Sequence, residues 1–160
     1  MRLTRIPLAV RALVVLALLG AIAWQGVEAS ADRRDDDRLQ EAVAMARAQV
    51  LDITTLDSDS VGAKLKAMAA RTSGDFQDQV TSIAATFIEI VREKKVVATG
   101  RIDGVGVASS SDRDVSVLVA STAVVTESGK ATSTTRSYRI KVSLVRAKDS
   151  WKINGMEFVQ

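Results

Sequence analysis

The 160-residue chain contains no cysteine and no histidine. The first absence excludes disulfides, thiolate nucleophiles, Cys-ligated zinc and Cys-ligated iron–sulfur clusters. The second excludes an imidazole base, zinc held by histidine and a Ser-His-Asp arrangement. Carboxylates, lysines and hydroxyls are all that remain for catalysis. Aromatic residues make up only 4% of the chain, too few for a platform that stacks single-stranded nucleic acid. A strong excess of one charge is also lacking. The formal net charge is +3, but Arg2, Arg5, Arg11 and Glu28 all fall within the first 31 residues, which leaves 19 basic against 18 acidic residues in the remainder. So neutral a body lacks the dense basic footprint of a non-specific nucleic-acid binder. With no covalent staple the body must live on an apolar core, and a hydrophobic fraction of 47% permits one.

What is present begins with a membrane-directed end. Arg2, Arg5 and Arg11 precede an uninterrupted apolar run from Ala12 to Trp24. That run alone makes a helix of about 20 Å, short for a hydrocarbon layer of about 30 Å. Extended from Ile6 to Val27 it reaches spanning length, with Arg11 snorkelling toward the headgroups and Trp24 at the far interface. The arginines on the leading side predict an N-terminus in the cytoplasm and a single-pass anchor, with residues 32–160 outside the cell membrane. A cleavable signal peptide is the rival, because Val27-Glu28-Ala29 and Ala29-Ser30-Ala31 both resemble small-residue cleavage sites. Either way the body works outside the cytoplasm.

Beyond a charged collar at residues 32–38 the period becomes helical. Leu39, Val43, Ala46, Val50 and Ile53 draw one apolar stripe, read as a membrane-proximal stalk. Asp57-Ser58-Asp59-Ser60 offers acceptors for a fresh helix start, followed on one face by Val61, Leu65, Met68 and Ala69. Thr72-Ser73-Gly74 ends that helix with a residue that tolerates the left-handed conformation. A third helix spans about 75–92, with Phe76, Val80, Ile83, Ala84, Phe87 and Val91 toward the core. From Val96 onward valine, threonine and serine alternate with period two, the mark of strands. Ile102 and Val105 differ in parity, so a bulge is expected at Asp103-Gly104. Val115, Val117, Val119, Ala123 and Val125 share one face of the second strand. Glu127-Ser128-Gly129-Lys130 turns the chain into a third strand, where Tyr138, Ile140, Val142 and Leu144 oppose Ser137, Arg139, Lys141 and Ser143. A fourth strand starts at Trp151, with an interruption expected at Asn154-Gly155.

Helices in front and hairpins behind predict an α+β fold: an N-terminal transmembrane helix, then a cone-like domain of about three helices on a curved antiparallel sheet of four strands. The helix 75–92 is expected to fill the cone. The expected division is 1–31 cytoplasmic tail and anchor, 32–56 stalk, and 57–160 cone domain.

No segment selects a catalytic, cofactor-binding or metal-binding residue. Gly100 to Gly106 is rich in glycine but lacks a GK[ST] ending and opens no helix, so these glycines read as bend or bulge positions. Asp57 and Asp59 suit helix capping better than acid–base work. Arg139 and Lys141, on the polar face of the third strand, are the candidate interaction surface for a partner or an anionic lipid. The alternative is a solvated sheet face whose charges discourage edge pairing.

The order of anchor, amphipathic helix, short helix, Gly-Asp-Phe helix and C-terminal meander resembles the Mce-associated membrane proteins of mycobacteria and related actinobacteria. The resemblance runs through Leu51 to Leu56 with Asp57-Ser58-Asp59, then Thr72-Ser73-Gly74-Asp75-Phe76 with Gln79-Val80, and Val96-Val97-Ala98-Thr99-Gly100. It continues through Val115 to Val119 and Tyr138 to Val145, leading into Trp151-Lys152-Ile153. Ile53 and Val80 depart from it, standing where many relatives are expected to carry aromatic residues. Membership implies an outer domain of the nuclear-transport-factor-2 superfamily (NTF2-like). It also implies a non-enzymatic accessory or scaffold role beside Mce-type transporter subunits that import lipids or sterols, with no cofactor and no catalytic residues to carry over. Two other functions stay open because cones elsewhere enclose pockets: a small-ligand or lipid binder, and an enzyme using a carboxylate such as Asp103 beside Tyr138.

Overall fold

The computed structural model describes residues 36–127, 132–148 and 150–159. The expected anchor and most of the collar lie outside them, as do residues 128–130 of the expected turn. Among the described residues no helix is long and apolar enough to cross a membrane.

Residues Leu39–Gln160 form one compact unit. The elements, in chain order, are α1, helical at 36–54 and within this unit from Leu39, then α2 (Val61–Ala70), α3 (Gly74–Glu93), β1 (Val97–Ser110), β2 (Asp114–Thr126), β3 (Thr134–Ala147) and β4 (Ser150–Phe158). The four strands form an antiparallel sheet in sequence order. This is the expected α+β arrangement of three helices and a four-stranded sheet.

Strand alternation sets the two faces of the sheet. Val115, Val117 and Val119 on β2 join Ile140, Val142 and Leu144 on β3 and Trp151 and Ile153 on β4 in one buried cluster. The opposite face carries Leu118, Val124, Arg139 and Ser137, all exposed. The bulge expected at Asp103 is present: the β1–β2 register shifts between Ile102 and Gly104, and again between Val107 and Ser109. At Asn154 the strand continues, because the interruption is a bulge in the β3–β4 ladder and not a break.

One expectation is corrected. The helix covering the apolar face of the sheet is α1, not the helix at 75–92. Ala42, Ala46 and Val50 are fully buried in the sheet cluster, with Leu39, Val43 and Met45 packed around them. These residues, expected on a stalk, belong to the core. The small alanines at 42 and 46 let the helix backbone approach the sheet, which a row of large side chains would hold off. α3 sits at the margin instead. Only Val80 and Val91 of α3 are buried, Phe76 and Phe87 are half-buried, and Ile83 is 62% exposed.

A second cluster joins α2, the end of α3 and the start of β1: Leu56, Val61, Leu65, Met68, Val91 and Ala98. The α1–α2 connection is tied to β1 by reciprocal hydrogen bonds between Leu56 and Ala98, 2.9 and 2.7 Å long. At the other end Ile153 N donates to Arg71 O and Ser73 N to Ile153 O, both at 2.9 Å, so the α2–α3 junction covers part of the β4 edge. Gly74 takes the left-handed conformation at that junction, with φ of 61°.

Candidate functional site

An apolar concavity lies where the helix-covered face of the sheet runs out beyond the main core. It is a cleft of about 320 Å³. Ile53, at the end of α1, forms one wall, and Phe87 and Ile90 of α3 form another. Ala123, Tyr138, Ile140 and Phe158 of the sheet complete it. The alternation that buries Val119 and Ile140 under α1 continues to Tyr138 and Phe158 past the cover of the helix. There the same face becomes the floor and lip of a cleft. Tyr138 and Phe158 meet with ring centroids 5.9 Å apart, and Phe158 is 71% exposed.

Two side-chain hydroxyls border this space. Thr54 Oγ1 is already committed, donating to Val50 O at 2.7 Å, which leaves the Tyr138 hydroxyl as the polar handle. A cleft lined in this way receives hydrocarbon or an aromatic ring, not a charged group. Ile53, one of the two departures from the family pattern, lines it, while Val80, the other, is buried on α3.

Asp103 and Tyr138, the acid and the phenol considered for an enzyme, both border one small groove with Ser121, Ser137 and Arg139, but the carboxylate is engaged by other partners. Asp103 accepts from Arg101 Nε at 2.8 Å and from Thr122 Oγ1 at 2.6 Å. Thr122 pairs with Ser137 on the outer face, whereas Tyr138 pairs with Ser121 on the covered one. The carboxylate therefore clamps the bulge. Asp57 is also engaged. Its Oδ1 accepts from the backbone N–H groups of Asp59 and Ser60, both at 2.9 Å, and its Oδ2 accepts from the Ser60 hydroxyl. These hydrogen bonds hold its carboxyl below the ordinary aspartate range. Asp57 therefore caps the turn that leads into α2, while Ser60, at the N-cap of α2, makes no side-chain cap hydrogen bond. Among the described residues no group of three or more acidic side chains is placed to hold a metal ion.

Arg139 and Lys141 lie together on the outer face, beside Ala120 and Leu118. Lys141 is neutralised by its cross-strand neighbour Glu157, Nζ to Oε2 at 2.8 Å. Arg139 borders a groove of about 310 Å³ with Gly104, Leu118 and Val159. The basic character of Lys141 is thus weaker than the bare sequence suggests.

Ile90 is the cleft residue the periodicity missed. Its signal was an apolar arc on α3, from Phe76 through Ile90 and Val91, wider than one packed face requires. Gln49 was also missed. It is fully buried on α1, and its Oε1 accepts from Arg71 Nε at 3.0 Å while the same guanidinium pairs with Asp52.

Residues 3–160 match the family described as "Uncharacterized protein Rv1363c/MT1408-like". The chain belongs to that family. A curated relative, "Uncharacterized protein Rv1363c" of Mycobacterium tuberculosis (strain ATCC 25618 / H37Rv), is 30% identical over 164 residues. The match covers 99% of this chain but 60% of the relative. Solved structures share the fold at much lower identity. An IcmL-like type IV secretion system protein from Legionella pneumophila superposes with a TM-score of 0.60 at 8% identity, covering 75% of this chain and 91% of that one. A periplasmic fragment of TraM gives 0.61 at 15% identity, covering 75% and 96%. An Ntf2-like protein involved in plasmid conjugation gives 0.52 at 11% identity, covering 76% and 48%. The expected NTF2-like fold is therefore present.

Proposed function

We propose that this chain is a non-enzymatic accessory or scaffold subunit of an envelope assembly, anchored by residues 6–27 with its folded body outside the cytoplasmic membrane. The observation that carries this reading is exposed apolar surface at the cleft, where Ile90 (44%) and Phe158 (71%) line it in solvent, and on the same helix stripe as Ile90, where Ile83 is 62% exposed. A clustered apolar surface of this kind marks a place where another molecule sits. The fold adds support, since it is shared with a protein described as part of a type IV secretion system and with a periplasmic fragment. The apolar run behind Arg2, Arg5 and Arg11 supports the location.

The assembly we favour is an Mce-type lipid or sterol importer. Its support is the resemblance of ordered segments to the Mce-associated proteins, from Leu51 to Leu56 through to Trp151-Lys152-Ile153, with Ile53 and Val80 as departures. Affinity capture of the full chain from gently solubilised membranes is expected to recover envelope-transport subunits. Repeated recovery of the protein alone, with a lipid bound in its body, would overturn this order. Intact mass on the same preparation separates an anchor from a cleaved signal.

The hydrocarbon lining of the cleft favours a second reading, a binding domain for a small apolar ligand or lipid chain. Organic extraction of the purified full chain followed by mass spectrometry tests it; a stoichiometric lipid supports the reading, and an empty extract removes it.

A further inference from the structure

The apolar cleft offers a ligand only one polar contact. Its lining, which runs from Ile53 and Phe87 to Ala123, Ile140 and Phe158, includes no charged side chain. Lys94 and Lys95 adjoin Val96 in sequence but are exposed and are not part of the lining. Backbone groups at the border are already paired: Leu56 and Ala98 exchange two hydrogen bonds, and Val96 N donates to Val91 O at 3.0 Å. Thr54 Oγ1 is engaged by Val50 O.

Tyr138 is the exception. Its ring lies against that of Phe158, and among the described residues its hydroxyl has no hydrogen-bond partner. That hydroxyl limits what can fill the space. A purely apolar occupant would strip it of water and return no hydrogen bond. This counts against an acyl chain, and equally against a leucine or phenylalanine inserted by a second copy or by another protein. An ionised group fits worse, because no cation in the lining compensates its desolvation. Size narrows the class further. An apolar cavity of about 150 Å³ holds benzene, so the 320 Å³ here correspond to roughly a dozen non-hydrogen atoms.

We propose that the cleft binds a small neutral molecule, mostly hydrocarbon, whose single hydroxyl or carbonyl hydrogen-bonds to the Tyr138 hydroxyl. This deepens the ligand-binding reading above and rests on it. The hydrocarbon walls set the size of the ligand, and Tyr138 determines specificity by demanding a polar atom at one position. Phe158 and Ile90 supply apolar contact at the exposed margin.

The test uses three photoreactive probes that differ in one group. They are aryl trifluoromethyl-diazirines that carry a hydroxymethyl, a methyl or a carboxylate substituent on the ring. Each is applied to the full chain in its own membranes, and labelled peptides are identified by mass spectrometry. The alcohol is expected to label peptides carrying Ile53, Ile90 or Phe158 saturably, with the carboxylate at least about tenfold weaker. Tyr138→Phe should lower the ratio of alcohol to methyl labelling about fivefold. That ratio cancels differences in how the probes enter the membrane. The variant loses one atom without a partner in the fold, so the melting curve of the purified chain should not move. Phe158→Ala should weaken alcohol and methyl labelling alike, since it removes a wall and no hydrogen bond. Carboxylate labelling equal to that of the alcohol, or a ratio unchanged by Tyr138→Phe, overturns the proposal. Saturable labelling of the cleft by the methyl probe would in that case keep the broader ligand-binding reading. If none of the three probes labels the cleft, both fall.

Discussion

At the residue scale, Gly100 shows how one missing side chain permits a tertiary contact. A Cβ built there would lie 2.3 Å from Thr54 Oγ1 and 2.9 Å from the Thr54 carbonyl carbon. The obstacle includes backbone at the end of α1, which cannot rotate aside. Gly100 N also donates to Thr55 Oγ1 at 3.1 Å, so the strand and the helix end are joined where they approach most closely. Gly100→Ala is expected to destabilise the protein by about 1–3 kcal/mol, as overpacking does, read as a lower urea midpoint at unchanged slope. Gly106 has nothing within 4 Å of its Cβ position and no positive φ. Gly106→Ala is expected to be neutral or stabilising by up to about 1 kcal/mol, and an equal loss at both positions would refute the argument from close approach.

Asp57 makes a prediction in pH. Its folded-state pKa lies below the ordinary 3.8 because Ser60 and the Ser60 and Asp59 amides bind the carboxylate. A depressed pKa means the unfolded chain takes up the proton first as pH falls. The contribution of Asp57 is therefore complete above that ordinary value and drains away below about pH 4, as pH drops through the folded pKa. Asp57→Asn keeps an oxygen for the amides but loses the titration. Melting temperatures between pH 5 and 2 should fall less steeply in this variant than in the parent.

At the scale of elements, the decisive fact is that α1 covers the sheet. A chain truncated to residues 57–160 would leave Val115, Val117, Val119, Ile140 and Val142 facing water without Ala42, Ala46 and Val50. It is expected to lack cooperative thermal unfolding and to aggregate, whereas a chain beginning near residue 36 should melt in one transition. Cooperative unfolding of the shorter piece would show that α1 is dispensable. This is also where sequence reading went astray. The stripe on α1 was visible, and so was the more hydrophobic-looking stripe on α3, but periodicity reports only that a face is buried. It does not say against what. Strand order, the two parities and the bulge at Asp103 were legible because a pleated ladder converts adjacent residues directly into opposite faces.

For the whole molecule, stability and surface function should separate. Ile83 lies outside both core clusters, so Ile83→Ser is expected to shift folding free energy by no more than about 0.5 kcal/mol. Loss of partner capture by this variant with an unchanged melting curve would locate function on the α3 face. A large stability loss would instead show Ile83 to be structural. The cleft was only partly legible beforehand. Phe87, Tyr138 and Phe158 carried core parity, yet nothing in one dimension shows where a helix stops covering a sheet.

The amino-acid order alone determined the missing chemistries, the α+β arrangement, the alternating faces and the position of the bulge, because these follow from residue type and local period. Only the tertiary structure decided that α1 fills the core, that Lys141 is neutralised by Glu157, and that Asp103 is engaged by Arg101 and Thr122. It also left Ile90 and Phe158 in solvent at an apolar cleft and Ile83 exposed on the same helix. Those outcomes depend on contacts between distant segments, where the helix with the smaller side chains wins the closer approach to the sheet and its competitor keeps an apolar edge uncovered.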